Sequence, residues 1–147
     1  MKKTPEKRPP HIYKGGAVYD GTWLGGFRHG NGTMKWTDGT IYTGTWGYGE
    51  PSENGTLTYP NGDKYEGSWS SNLMNGFGKF THVSGTVYNG HWKFGKQHGN
   101  GRETWADGSE YVGQYVDGRK EGLGKFNWTD GSSYTGEWVA NQIHGCG

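Results

Sequence analysis

Residues 88–101 read YNGHWKFGKQHGNG, and residues 19–32 read YDGTWLGGFRHGNG. The shared phrase is Tyr, any residue, Gly, any residue, Trp. It opens at Tyr19, Tyr42, Tyr65, Tyr88, Tyr111 and Tyr134, each 23 residues after the last. Its final place holds Trp23, Trp46, Trp69, Trp92, Tyr115 and Trp138. A strict period of this size marks a repeat architecture. One unit copied in a row presents rows of equivalent side chains and not a single convergent pocket.

With the opening Tyr as position 0, glycine recurs at +2, +13 and +20, and Gly or Asn fills +7 (Gly26, Gly49, Asn72, Gly95, Gly118, Asn141). Gly and Asn visit left-handed backbone angles cheaply, so +7 is predicted to be a turn residue with positive φ. The residue before the +20 glycine is Asp38, Asn61, Ser84, Asp107 or Asp130. Asp-Gly and Asn-Gly between apolar alternations signal a hairpin. Two turns per period leave two strands, from about −1 to +5 and from about +13 to +17. Alternation puts 0, +2 and +4 on one face, joined by +13, +15 and +17. The +15 row is Met34, Leu57, Phe80, Glu103, Phe126, and the +17 row is Trp36, Tyr59, His82, Trp105, Trp128. The pattern predicts an all-β chain, an elongated single-layer antiparallel sheet of successive 23-residue β-hairpins. Each repeat advances roughly 10 Å at two strands per unit.

Bulk composition agrees with this reading. Hydrophobic residues are only 29% of the chain and glycines number 30, which alone would suggest disorder. Eight Trp and ten Tyr argue the opposite, because each aromatic ring buries a large area. A net charge of +1 supplies no global field for nucleic acid, and the rings belong to core rows and are not free to stack bases. The lone Cys146 permits no internal disulfide and reads as a free thiol in a reducing compartment. No apolar run is long enough to span a bilayer. Residues 1–10, MKKTPEKRPP, read as a flexible basic lead-in, and 11–147 as the repeat domain. That domain comprises a leading half repeat with Tyr13 at +17, five full repeats, and a final half repeat from Tyr134.

The stretches YDGTWLGGFRHGNG, YNGHWKFGKQHGNG and YTGEWVANQIHGCG (134–147), each followed where the chain continues by an Asp-Gly-like turn, resemble the MORN repeat, the membrane occupation and recognition nexus. The resemblance covers Tyr13 to Gly147. It implies a twisted sheet of hairpins curved into a groove. Its members include radial-spoke-head proteins, junctional membrane proteins, parts of phosphatidylinositol phosphate kinases and cytoskeletal scaffolds. It therefore implies assembly and, in some members, membrane attachment, with no catalytic role for the repeats. The second repeat departs from the pattern, with Pro51, Glu53 and Asn54 in place of the His-Gly-x-Gly run, so the segment 48–54 reads as a specific contact or as drift.

Chemistry has few candidates. His29, His98 and His144 share +10, but copies two repeats apart are roughly 20 Å from each other, too far for one metal. They read as turn or ring-stacking residues. Asp38, Asp107 and Asp130 precede turn glycines, where Asp bonds its own backbone. No phosphate-loop motif and no nucleophile triad is legible, so the reading assigns no catalytic residue, no metal site and no cofactor.

The expected site is a partner-binding groove of Tyr19, Trp23, Trp36, Tyr42, Trp46, Tyr59, Tyr65, Trp69, Tyr88, Trp92, Trp105, Tyr111, Trp128, Tyr134 and Trp138. A helix or extended peptide from a protein partner would lie along it, making the chain a non-catalytic scaffold or structural subunit in the cytoplasm, of cytoskeletal or ciliary type. Strand 134–139 is expected to lack a following partner and to offer an edge for self-association. An alternative use is peripheral binding to anionic lipid through Lys79, Arg102 and Lys125, which share +14 on the opposite face. Arg28, Lys96, Arg119 and Lys120 at +8 or +9 would add to that charge. A third is an accessory module of a lipid kinase.

Overall fold

The computed structural model describes residues 4–144. Cys146 and Gly147, and the first three residues of the lead-in, lie outside them. Contacts divide the chain into two units, 1–73 and 74–147. Every regular element among the described residues is a strand.

In the first unit the strands are β1 (Glu6–Lys7), β2 (His11–Ile12), β3 (Val18–Leu24), β4 (Phe27–Lys35), β5 (Ile41–Gly47), β6 (Glu50–Thr58) and β7 (Lys64–Ser70). Each of β3 to β6 pairs antiparallel with the next, while β1 and β2 both pair with β3. The second unit carries β8 (Leu73–Thr81, its first residue at the boundary), β9 (Val87–Lys93), β10 (Lys96–Thr104), β11 (Glu110–Val116), β12 (Arg119–Asn127), β13 (Ser133–Val139) and β14 (Gln142–His144). These too pair in chain order. The predicted succession of hairpins is therefore what forms. Two details of the ends differ from expectation. Glu6–Lys7 pairs with Thr22 and Trp23, so strand structure begins inside the expected lead-in. Strand 134–139 is not left unpaired, because β14 covers Glu137 to Val139.

The physical reason for the second difference is strand length. The second strand of each repeat starts at +8 and runs to +16, not from +13 to +17, so even the last repeat supplies the start of one. Between +8 and +13 that strand bulges. In β3–β4 the register jumps from Gly21↔Gly32 to Trp23↔Arg28, so Thr22 alone faces the three residues His29, Gly30 and Asn31. The same jump separates Gly44↔Gly55 from Trp46↔Pro51 and Gly113↔Gly124 from Tyr115↔Lys120. The bulge here carries a residue with positive φ, as in the glycine type of bulge, and +11 provides it: Gly30 at 86°, Gly76 at 95°, Gly99 at 75° and Gly122 at 87°.

In the second repeat the same place is taken by Glu53 at φ 54°. A residue with a Cβ pays roughly 1–2 kcal/mol for that conformation. Glu53→Gly is expected to raise stability by about 1 kcal/mol, read as a higher urea midpoint, with no change in the near-ultraviolet dichroism of the rings. A lower midpoint would show that the Glu53 side chain holds the tip in place.

The two turns of each repeat are of different kinds. The tip at +6 and +7 has positive φ at both residues in Tyr48–Gly49 (45° and 90°), Phe94–Gly95 (50° and 80°), Asp117–Gly118 (50° and 83°) and Ala140–Asn141 (48° and 71°). That is a type I′ hairpin. The prediction of positive φ at +7 holds for these tips and for Asn72. It fails at Gly26, where Gly25 at φ 58° carries the turn residue's conformation instead. The other turn is a three-residue loop: Gly39 N–H donates to Trp36 O (3.1 Å), and Trp36 N–H to Thr40 O (2.9 Å). Asp38, Asp107 and Asp130 each accept from a backbone N–H two residues on, at 2.8–2.9 Å. Those hydrogen bonds hold the three carboxyls below their usual pKa, in Asp107 and Asp130 with the Ser109 and Ser132 hydroxyls leading.

Candidate functional site

The glycines at +2 and +13 decide which side chains are core. A Cβ on Gly55 would sit 2.0 Å from the Tyr42 hydroxyl oxygen, and one on Gly101 2.4 Å from that of Tyr88. The Tyr ring lies flat on this bare backbone. Its hydroxyl donates to the +3 carbonyl of its own strand, which falls in the gap left by the bulge: Tyr19 to Thr22 O, Tyr42 to Thr45 O, Tyr88 to His91 O (2.8 Å each) and Tyr111 to Gln114 O (2.9 Å). Burial pushes the phenols of Tyr19, Tyr42 and Tyr111 up to about 12 and raises those of Tyr65 and Tyr88 further.

The +4 rings stand edge-on between successive tyrosines. Trp46 is 5.3 Å from Tyr19 and 5.0 Å from Tyr42, and Trp138 is 5.3 Å from Tyr111 and 5.7 Å from Tyr134. T-shaped pairs at this distance add to the area term. The indole N–H of Trp46, Trp69, Trp92 and Trp138 donates to the carbonyl of Gly32, Gly55, Gly78 and Gly124, each 14 residues earlier, at 3.0–3.2 Å.

Tyr115 breaks this row, and the structure gives the reason. Its hydroxyl donates to Glu103 Oε1 at 2.7 Å. Glu103, the acidic member of the +15 row, and Tyr115, the non-Trp member of the +4 row, are thus one paired departure. Burial, reinforced by the Glu103 carboxylate, pushes the Tyr115 phenol strongly upward.

Of the groove residues expected from sequence, Tyr19, Trp23, Tyr42, Trp46, Tyr65, Trp69, Tyr88, Trp92, Tyr111 and Trp138 are buried in this ladder. They are core, and a partner could not touch them without opening the sheet. Trp36 and Trp128 remain 37% and 40% exposed, and Tyr59, Trp105 and Tyr134 are half-buried. Among the expected groove residues the accessible surface is therefore mostly the +17 row, while Phe27, Tyr48, Phe77 and Phe94 at other positions are more exposed still. In the second unit the groove surface is continuous: Trp105 lies 5.4 Å from Phe126, and Phe126 lies 4.7 Å from Trp128. A hollow of about 280 Å³ opens nearby between Phe80, His82, Trp92 and Gln97.

Two cations expected on the surface cover rings instead. Arg28 rests 5.1 Å from the Trp46 ring centre and 5.6 Å from that of Tyr13, and donates to Tyr13 Oη (2.8 Å) and Gly49 O (2.6 Å). Lys120 rests 5.0 Å from Trp105 and 5.4 Å from Tyr111, and burial lowers its pKa despite the nearby Glu103 carboxylate. On the opposite face Lys79, Arg102 and Lys125 are all exposed. Arg102 is committed to Glu110, with Nε 2.8 Å from Oε2.

Of the +10 histidines, His29 serves a tip, whereas His98 Nδ1 is buried with no hydrogen-bond partner among the described residues. His29 Nδ1 accepts from Tyr48 N–H at 3.1 Å with its ring 4.7 Å from the Tyr48 ring, and Glu121 takes the equivalent N–H of Ala140 at 3.1 Å. Among the described residues no group of three His, Cys, Asp or Glu is placed to hold a metal ion. No described helix is long and apolar enough to cross a membrane.

The profile of the MORN repeat matches residues 19–41, 42–64, 65–87, 88–110, 111–133 and 134–147. The chain belongs to the MORN-repeat family. MORN repeats are a non-catalytic repeat module. No curated protein matches the chain. Among solved structures, the G-box domain of the microcephaly protein CPAP is 13% identical with a TM-score of 0.48, covering 88% of this chain and 80% of that one. The TCP domain of SAS-4 from Drosophila melanogaster, solved with a proline-rich motif of Ana2, is 12% identical with a TM-score of 0.40, covering 92% and 90%.

Proposed function

We propose that this MORN-repeat chain is a protein-binding scaffold, a structural subunit of a cytoskeletal or ciliary assembly of the radial-spoke-head kind, working in the cytoplasm. The observation that carries the reading is the exposure of Trp36 and Trp128 on the ladder face, where every equivalent ring at 0 and +4 is buried or half-buried. Large apolar rings left in water mark a contact surface. Successive +17 rings within a unit are roughly 10 Å apart. A partner helix rising ~1.5 Å per residue would meet them with an apolar residue about every seventh position. A photocrosslinking residue in place of Trp36 or Trp128 should give protein adducts in native extract, and one in place of Leu123, on the opposite face, should not. Adducts from Leu123 alone would reverse the assignment.

A second reading has its own support. Lys79 and Lys125 are exposed beside Phe77 and Leu123 on the same face, and these two apolar side chains are 59% and 62% exposed. Cations flanking exposed apolar groups suit an anionic lipid surface, at about 1 kcal/mol per cation. Arg102, tied to Glu110, adds less. This reading requires sedimentation with anionic vesicles that Lys79→Glu with Lys125→Glu abolishes.

A further inference from the structure

We propose that the first unit carries a carboxylate-binding hollow beside Trp23 and Arg28, and that its ligand is an acidic segment of a protein partner. The proposal rests on the protein-binding reading above.

The indole N–H groups of the later repeats show what Trp23 lacks. Trp46 and Trp69 each donate to a backbone carbonyl 14 residues earlier. The same step from Trp23 leads to Pro9. There the edge strand is out of register: β1 pairs Glu6 with Trp23, whereas β4 pairs Gly30 with Trp46, which places Lys7 opposite Trp23 one period earlier. A one-residue slip reverses the direction of every group on a strand. Trp23 Nε1 consequently has no hydrogen-bond partner among the described residues, although the side chain is only 9% exposed. Its neighbour Arg28 has a second such donor, Nε. The terminal nitrogens of Arg28 meet only neutral oxygens, those of Tyr13 and Gly49, so its charge is unmatched by any carboxylate among the described residues. Leaving buried donors unmet costs about 1–3 kcal/mol each.

The side chains that carry these donors border a hollow of about 560 Å³ lined by Arg8, Pro9, His11, Tyr13, Trp23, Gly26 and Arg28, with the donor atoms themselves covered. Its walls present two guanidiniums, an imidazole and two aromatic rings. No acidic side chain lines it. Glu6 holds Arg8 from outside, with Arg8 Nε 3.0 Å from Oε1, while the Arg8 guanidinium covers the Trp23 ring at 5.6 Å. An incoming carboxylate would replace Glu6 as the partner of Arg8, draw it off the ring and reach the Trp23 and Arg28 donors. The two guanidiniums with Glu6 beside them carry a net charge of +1, which suits a singly charged carboxylate better than a dianionic phosphate, and the rings of Tyr13 and Trp23 suit an apolar residue next to it. Charge-assisted bonds of this kind are about twice as strong as neutral ones.

The test is nuclear magnetic resonance of the full chain, following the indole N–H of Trp23, assigned with Trp23→Phe, and the Nε–H of Arg28. The probe is acetyl-Glu-Phe-Glu-Leu-amide, compared with its Gln counterpart, inorganic phosphate, and phosphatidylcholine vesicles containing phosphatidylserine. Both signals should move saturably with the Glu peptide, with affinity about tenfold above that of the Gln peptide. Glu6→Gln should tighten binding, because it removes the competing carboxylate while leaving the core untouched. A fixed Trp23 signal, equal response to both peptides, weaker binding in Glu6→Gln, or a response to phosphate or vesicles without one to the peptide would each overturn the proposal. If the hollow fails while adducts from Trp36 and Trp128 persist, the protein-binding reading stands alone. If both fail, that reading falls too.

Discussion

Gly55→Ala is expected to destabilise the chain by about 3 kcal/mol or more, a loss visible as a large fall in the urea midpoint. The added Cβ would lie 2.0 Å from Oη, 2.3 Å from Cζ and 2.6 Å from Cε2 of Tyr42. These atoms cannot give way cheaply. The ring is fully buried, its hydroxyl is tied to Thr45 O at 2.8 Å, and Trp46 and Trp69 stand against it at 5.0 and 5.5 Å. The methyl group must expel the ring, and with it one rung of the ladder. Gly26→Ala is the control, since a Cβ there meets nothing within 4 Å, and it should change stability by less than about 0.5 kcal/mol. The mechanism makes a further demand: in a Tyr42→Ala background the Gly55→Ala cost should largely vanish. Equal cost in both backgrounds would place the strain in the backbone and not against the ring.

The second large effect concerns the paired departure at Glu103 and Tyr115. Tyr115→Phe removes the hydroxyl that meets Glu103 at 2.7 Å, in a side chain 2% exposed, and should cost about 1–3 kcal/mol. Glu103→Phe alone leaves the Tyr115 hydroxyl buried without its acceptor, at a similar cost. The double variant Glu103→Phe with Tyr115→Trp restores the pattern of the other repeats, in which an indole N–H reaches the carbonyl 14 residues back. It should be more stable than Glu103→Phe alone or Tyr115→Trp alone, with a coupling of about 0.5–3 kcal/mol in the urea-unfolding cycle of these three variants. Additive single effects would mean that the two positions are independent.

These examples show what a linear reading of the repeat reaches. Glycines at +2, +13 and +20, the 0 and +4 rings, and the alternation of faces were all legible, because each depends on residue type and spacing alone. The left-handed residues at +6 were not. Tyr48, Phe94, Asp117 and Ala140 share no chemistry, and their φ is imposed by the type I′ turn around them. The start of the second strand at +8 was hidden by a bulge that interrupts alternation. Arg28 and Lys120 were misjudged as surface charge because their long stems let the cation fold back over a ring, a choice that spacing does not encode. The division of the groove row into core and surface followed from the same limit. Sequence puts 0, +4 and +17 on one face, but only the packing of the Tyr ring onto its glycine pair makes 0 and +4 inaccessible. Glu103 and Tyr115 were both visible as exceptions. Their connection needed the register Glu103↔Tyr111, which brings +15 beside the next repeat's aromatic pair.

The central claim is that the ladder builds the sheet while the +17 rings are left for a partner. The most direct measurement is retention of a crosslink-identified partner by the variant carrying Trp36→Ala and Trp128→Ala, taken together with its urea midpoint. The account predicts lost retention with a midpoint lowered by no more than about 1 kcal/mol of stability per ring, because both rings are more than a third exposed. Undiminished retention by a folded double variant would contradict it.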